Sequence, residues 1–230
     1  MSRENPIWGA PRIVSELALL GHDVVEQTVA KHMVCTRKPP SQTWRAFLGN
    51  HVPDIAACDF FTILTVTFRV RYVFIVLRHD RRQMVHFNVP ANPYAEWTAQ
   101  QIIDAFPYEE TPRFLIRDRD GIYGDYFKER MQGVEIEEVP IAPRSPWQNP
   151  LCERIIGSIR RECLEHVIAL NERHLCRILT DSFDDCHNSR SHLSLDRNSP
   201  TPREVEPPSQ GEVISIRQVG GLPHRYSRAA

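Results

Sequence analysis

Apolar residues recur along this chain with two different periods, and the change of period divides it. Between residues 11 and 34 the spacing is helical. Ile13, Val14, Leu17 and Leu20 share a face, and Val25, Val29 and Met33 continue the stripe in a second helix. Pro11 suits the first helical turn, where its missing amide proton would go unpaired anyway. Gly21 stops the first helix in the left-handed conformation that glycine tolerates. Helix, glycine turn and second helix is the geometry of a helix-turn-helix, although any two-helix hairpin reads the same way.

Beyond Arg37-Lys38-Pro39-Pro40-Ser41, whose adjacent prolines exclude a helix interior, the period shortens. Ala56–Val66, Arg71–Leu77 and Met84–Val89 are rich in Val, Ile, Phe and Thr and predict three strands. Ala95–Phe106 returns to helical spacing. Phe114–Ile116 predicts a short buried strand, Tyr126–Gln132 a short helix and Glu135–Ile141 another strand. Leu151–Leu170 predicts a long helix and Glu172–Asn188 a further one. Prolines from 200 to 208 end this part, and 211–220 predicts one isolated strand in a tail. The expected class is α/β, a mixed sheet flanked by helices and preceded by a small helix-turn-helix-like segment. The expected divisions are 1–36 for that segment, 37–49 for a linker, 50–205 for the main domain and 206–230 for the tail.

Composition narrows the class. A chain of 230 residues, 41% hydrophobic and 25% charged, holds one large domain and a small one. Its apolar runs are too short to span a bilayer, and no basic-then-apolar leader opens it, so a cytoplasmic location is expected. Six cysteines form no Cys-x-x-Cys pair, which favours isolated reduced thiols over structural zinc. The net charge of −1 excludes a uniformly basic nucleic-acid binder. Charge is nonetheless uneven. Arg69, Arg71, Arg78, Arg81 and Arg82 stand against Asp80 alone, whereas residues 104–138 hold ten acids and five bases. Carboxylates in a pocket with cations on its rim would give such a mixture, and so would ordinary surface charge.

Three acidic residues stand out from that background. Asp59 interrupts an apolar strand, which is costly for a charge unless it is paired, bound to metal or facing water. Asp118 follows the short strand ending at Ile116, at the carboxyl end where α/β sheets place ligands. Asp120, beside Gly121, reads as a turn former, and Asp118 can be one too. Glu153 falls in the first turn of a helix, behind a loop that Pro146 and Pro150 keep non-helical. A carboxylate there also simply complements the helix dipole. Gly157, Arg160 and Arg161 follow on its side of the helix, a small residue and two cations suited to a DNA backbone. Carboxylates from three separate elements are what phosphodiester chemistry with two hard divalent ions requires.

With those residues in view, the chain resembles the integrase catalytic core shared by retroviral integrases and bacterial insertion-sequence transposases, over roughly residues 50–205. Asp59 in Cys58-Asp59-Phe60-Phe61 matches the family's first Asp. Asp118 to Tyr123 is similar to its Asp-Asn-Gly-x-x-Phe turn, with Arg119 and Asp120 in place of Asn-Gly. Ser145-Pro146-Trp147-Gln148-Asn149 followed by Glu153-Arg154 matches its Ser-Pro-x-x-Asn loop and Glu. The 34 residues between Asp118 and Glu153 are close to the family's usual spacing. Asn188 to Leu195 with Ser199-Pro200-Thr201-Pro202 resembles its Asn-x-x-Arg-x-His ending. The first helices resemble the helix-turn-helix that precedes this core in transposases. Val25 stands where a serine cap is usual, and fewer helices lie upstream, which implies a shortened recognition segment.

The resemblance implies an RNase H-like fold and a DDE-type transposase or integrase. Asp59, Asp118 and Glu153 would be its catalytic, metal-holding residues, with two Mg2+ or Mn2+ ions as cofactor. DNA contacts are expected from Arg154, Gly157, Arg160 and Arg161, and from Lys31, Arg37 and Lys38. The expected partners are mobile-element ends and target DNA, handled by a homo-oligomer of two or more copies at a bacterial nucleoid. Two other functions compete with it: a decayed transposase that only binds DNA, and a nuclease of the same fold that cuts without joining.

Overall fold

Gly21, at φ +82°, ends the first helix by a paired hydrogen-bond closure. In the computed structural model, which describes residues 10–33, 43–107, 110–192 and 195–229, α1 is Ala10–Leu19 and α2 is Glu26–His32. The amide of His22 donates to the carbonyl of Leu17, and that of Gly21 to Ala18, which is the Schellman arrangement. Ile13 and Val29 are buried within this pair of helices. Val25 precedes α2 with no side-chain cap bond, as an apolar side chain there dictates. The chain divides into two compact units, Met1–Thr43 and Trp44–Ala230, and these helices belong to the first.

The second unit opens with α3 (Trp44–His51). Part of the expected linker, 44–49, is thus helical. Trp44 stacks on Phe47 at 5.4 Å, Phe47 meets Phe114 edge-on at 5.1 Å, and Leu48 joins them against the core. Positions 37–42, with Arg37, Lys38 and the two prolines, lie outside the described residues.

The apolar runs that follow pair as one five-stranded sheet. β1 (Ile55–Leu64), β2 (Val70–Arg78) and β3 (Met84–Asn88) form an antiparallel meander. After α4 (Ala95–Ala105), β4 (Phe114–Arg117) returns parallel to β1. After α5 (Asp125–Gly133), β5 (Glu137–Pro140) lies parallel to β4. Parallel returns need a crossover, and α4 and α5 supply it. The order is β3-β2-β1-β4-β5.

Side chains alternate across a strand, so the sheet has two chemically separate faces. Ile55, Ala57 and Phe61 of β1 and Phe114 and Ile116 of β4 point to one. There they meet Ile155, Ile156 and Ile159 of α6 (Pro150–Glu162) and Leu175 and Leu179 of α7 (Glu172–Asn188). Ala56, Cys58 and Leu115 point to the other, against Ile102 of α4 and Phe127 and Met131 of α5. Burial on both faces is why β1 and β4 read as nearly continuous apolar runs.

Two expectations are corrected. The helix expected over Leu151–Leu170 ends at Glu162. Cys163 leaves helical geometry, the His166 ring donates to the Arg161 carbonyl at 3.0 Å, and Val66 takes the Ala169 carbonyl, drawing the chain back to the sheet. The single tail strand is instead a hairpin, β6 (Glu212–Arg217) and β7 (His224–Ala229), turning at Gly220 and Gly221 with φ of 67° and 97°. Its second strand is polar apart from Tyr226 and Ala229, so no alternation announced it. Arg203 ties the hairpin to the end of α7, its guanidinium donating to the carbonyls of Tyr226 (2.9 Å) and Ser189 (3.5 Å). Among the described residues no helix is long and apolar enough to cross a membrane.

Candidate active site

β1 and β4 run side by side in the same direction, with Ala57 opposite Ile116. Two residues farther along each lie Asp59 and Asp118. Adjacent strands are about 4.8 Å apart, so the two carboxylates come from neighbouring positions. Both continue the alternation of Ile55, Ala57, Phe114 and Ile116, and so belong to the face that α6 covers. Each is partly buried.

Glu153 reaches the same region on α6. Asn149, which precedes that helix and is 2% exposed, does not cap it. Its Nδ2 donates instead to the carbonyl of Cys58, the residue before Asp59, at 3.2 Å. This bond pins the start of α6 to β1 and brings the first turn, with Glu153, over the strand. The loop before it is stitched rather than loose. The Ala142 amide donates to Gln148 Oε1 at 2.6 Å, and the amides of Gln148 and Asn149 donate to the Ser145 and Pro146 carbonyls. The motif left Trp147 without a role; it stands 68% exposed on this loop.

The fields of the three groups overlap. Asp59 is raised from 3.8 to about 7, first by burial and then by the charges of Asp118 and Glu153, against a 2.8 Å bond from the Phe60 amide. Asp118 is also raised, chiefly by burial, against a 3.2 Å bond from the Asp120 amide. Burial pushes the Cys152 thiol well up, with Asp59 next in effect. Glu153 itself is exposed. Among the described residues no three His, Cys, Asp or Glu side chains stand together tightly enough to enclose one metal ion. The donors are therefore two partly buried aspartates and a third carboxylate on the open rim. In kind they fit a divalent magnesium or manganese ion: hard oxygens whose mutual repulsion a cation would relieve.

Asp120 is exposed, and its Oδ1 accepts the Ile122 amide at 3.0 Å, the turn role expected of it. Asp118 makes the same kind of bond two residues earlier, so the two differ by burial rather than by turn geometry.

On α6, Arg154, Arg160 and Arg161 are exposed, while Ile155, Ile156 and Ile159 are buried. The Arg160 guanidinium lies 5.9 Å above the Phe61 ring, two residues beyond Asp59 on the same face. A Cβ added to Gly157 would stand 3.0 Å from the Arg161 guanidinium, so Gly157 is the seat on which that side chain rests. Lys31 is exposed in the last turn of α2 in the other unit. His187 serves structure through its ring. His187 Nε2 accepts the Met84 amide at 2.7 Å, and the His192 amide donates to the Asn198 carbonyl. Leu193 and Ser194 of the same motif lie outside the described residues.

Residues 134–200 match the family described as integrase core domain. No curated protein matches the chain. Among solved structures, it is similar to the HTLV-2 integrase catalytic core domain in complex with magnesium. There identity is 10% and the TM-score 0.51, over 64% of this chain and 93% of that one. It is similar to the Mos1 transposase catalytic domain with raltegravir and manganese at 14% identity and TM-score 0.52, over 60% and 74%. It is similar to a chain of the simian T-cell lymphotropic virus intasome in complex with a PP2A regulatory subunit at 12% identity and TM-score 0.51, over 95% and 86%. The fold is the RNase H-like fold of integrase and transposase catalytic cores, and the resemblance read from the sequence is borne out.

Proposed function

From a chain with an integrase core match and the fold of DNA-processing catalytic cores, we propose a transposase that nicks at its element's ends and joins the freed 3′ hydroxyl to target DNA. One observation carries this reading: the parallel register of β1 and β4 sets Asp59 beside Asp118, on the face over which Asn149 holds Glu153. Asp59, Asp118 and Glu153 would hold magnesium or manganese, as in the metal-bound integrase and transposase cores of this fold. A bound pair of such ions would activate the attacking oxygen and neutralise charge on the leaving one. The protein's own part is to fix the carboxylates on rigid strands and seat the phosphate backbone; burial and the charges of Asp118 and Glu153 favour the Asp59 proton, which a bound cation would displace. Arg160, leaning on Phe61, and Arg161, folded over Gly157, would contact phosphates beside the site; Arg154 would extend that contact. Lys31, Arg37 and Lys38 of the first unit would add to DNA binding. Two ends must be joined in concert, so two or more copies would assemble on DNA.

The test is a strand-transfer assay with labelled element-end DNA, a plasmid and magnesium, run on wild type, Asp118→Asn and Asp120→Asn. Joined products are expected from wild type and Asp120→Asn, with Asp118→Asn binding DNA but inert, since the amide keeps the shape and loses the charge that holds the ion. Cut but unjoined DNA would make the protein a nuclease, and binding with no cutting a decayed transposase. Activity in Asp118→Asn with a dead Asp120→Asn would move the site two residues along the chain.

A further inference from the structure

Arg117 closes β4 and is 5% exposed, an unusual place for a full charge. Alternation sends its side chain to the face opposite Asp118, with Leu115 and the α4 and α5 residues. Four contacts hold it there. Its Nε donates to Glu138 Oε1 of β5 at 2.5 Å. The guanidinium lies 4.8 Å from the Tyr123 ring and 5.8 Å from that of Phe127. Its Nη1 donates to the carbonyl of Asp118 at 2.8 Å. One planar group thus fastens the next strand, the turn after Asp118 and the following helix to the peptide that carries Asp118.

A buried ion pair is poor evidence of stability, because apolar residues of similar volume often replace such a pair at no loss. What they could not replace is the bond to the Asp118 carbonyl. That peptide is where the chain leaves the sheet, and its orientation sets which way the Asp118 carboxylate points. We propose that Arg117, locked by Glu138, is a positioning residue that holds the Asp118 carboxylate toward Asp59 for metal binding. The inference rests on the reading of Asp118 as a metal ligand.

Manganese binding to the full chain without DNA, followed by the resonance signal of the free ion, tests it. The proteins are wild type, Asp118→Asn, Arg117→Lys and the double variant Arg117→Met/Glu138→Leu, each also melted thermally. The double variant leaves no lone buried charge and is expected to melt near wild type. Its manganese affinity is expected to fall about tenfold or more, as for other groups that orient a ligand. Arg117→Lys keeps the charge without the planar fork and is expected to fall between. Wild-type affinity in a double variant that melts like wild type overturns the positioning role. Should the double variant melt early, wild-type affinity in a folded Arg117→Lys overturns it instead. Equal affinity in wild type and Asp118→Asn sinks the site reading itself, and the positioning role with it.

Discussion

Asp59 sits on a strand buried on both faces, and its neighbours on the site are two more carboxylates. Its pKa of about 7, raised by burial and then by Asp118 and Glu153, has a thermodynamic sign that can be checked. The unfolded chain releases this proton near 3.8 and the folded protein near 7. Between those values the folded state binds more protons, so the metal-free protein loses stability as pH rises through the window. Asp59→Asn removes that loss. In chelator at pH 8 the variant is expected to melt above wild type, by roughly 2–4 °C for each kcal/mol regained in a protein of this size. The gap should close as pH falls toward 4. Thermal unfolding at three pH values reads it, and a variant that melts lower at pH 8 would mean that the Asp59 charge is stabilised in the fold. On the proposed reading of Asp59 as a metal ligand, the same linkage would make metal affinity rise with pH through about 7, because binding would displace the proton.

Along α6 the division of labour follows the helical period. Ile155, Ile156 and Ile159 anchor the helix, and Arg160 and Arg161 are left outside beside Phe61 and Gly157. Both cations are exposed, so replacing them with Ala should leave the melting temperature nearly unchanged while DNA affinity falls. The loss should be similar for every DNA sequence and should flatten the salt dependence, since phosphate contacts release counterions and read no bases. Binding isotherms at two salt concentrations, on element-end and unrelated DNA, measure it. A loss confined to one sequence would assign the pair to base readout. The helix also ends sooner than its sequence implies, because Cys163 turns out of it and the following residues return to the sheet. Helical spacing of apolar residues persists through Leu164 and cannot register that a buried thiol and a histidine cap have already closed the last turn.

In the unit Trp44–Ala230, sequence-distant segments are fastened by a few arginines. Arg203 is the clearest, joining the carbonyl at the end of α7 to that of Tyr226 in the hairpin, while Glu206 accepts from Ser227 and Arg228. All of β6 is exposed, with Val213 60% accessible, so little apolar burial holds the hairpin down. Arg203→Ala should therefore release the hairpin and leave the five-stranded sheet intact. Hydrogen exchange is expected to speed up in 212–229 and to stay unchanged in β1 and β4. Equal protection in the variant would show that the Glu206 contacts suffice alone.

Local pattern alone determined much of this molecule. The helical stripe and Gly21 located α1 and α2, and the β-branched and aromatic runs located β1 to β4, because secondary structure is set by short-range periodicity and turn chemistry. Asp59, Asp118 and Glu153 were legible as charges in places where a charge needs a reason. What no window of sequence contains is adjacency. That β4 lies parallel to β1 in a register that sets Asp118 beside Asp59 depends on two crossovers returning to the same sheet. That Asn149 hooks α6 to Cys58, 91 residues away, depends on where that helix lands. Arg117 passed unremarked because an arginine after an apolar strand reads as surface. Only the packing of β5 and α5 over that face buried it, beside the Tyr123 and Phe127 rings and the Glu138 carboxylate.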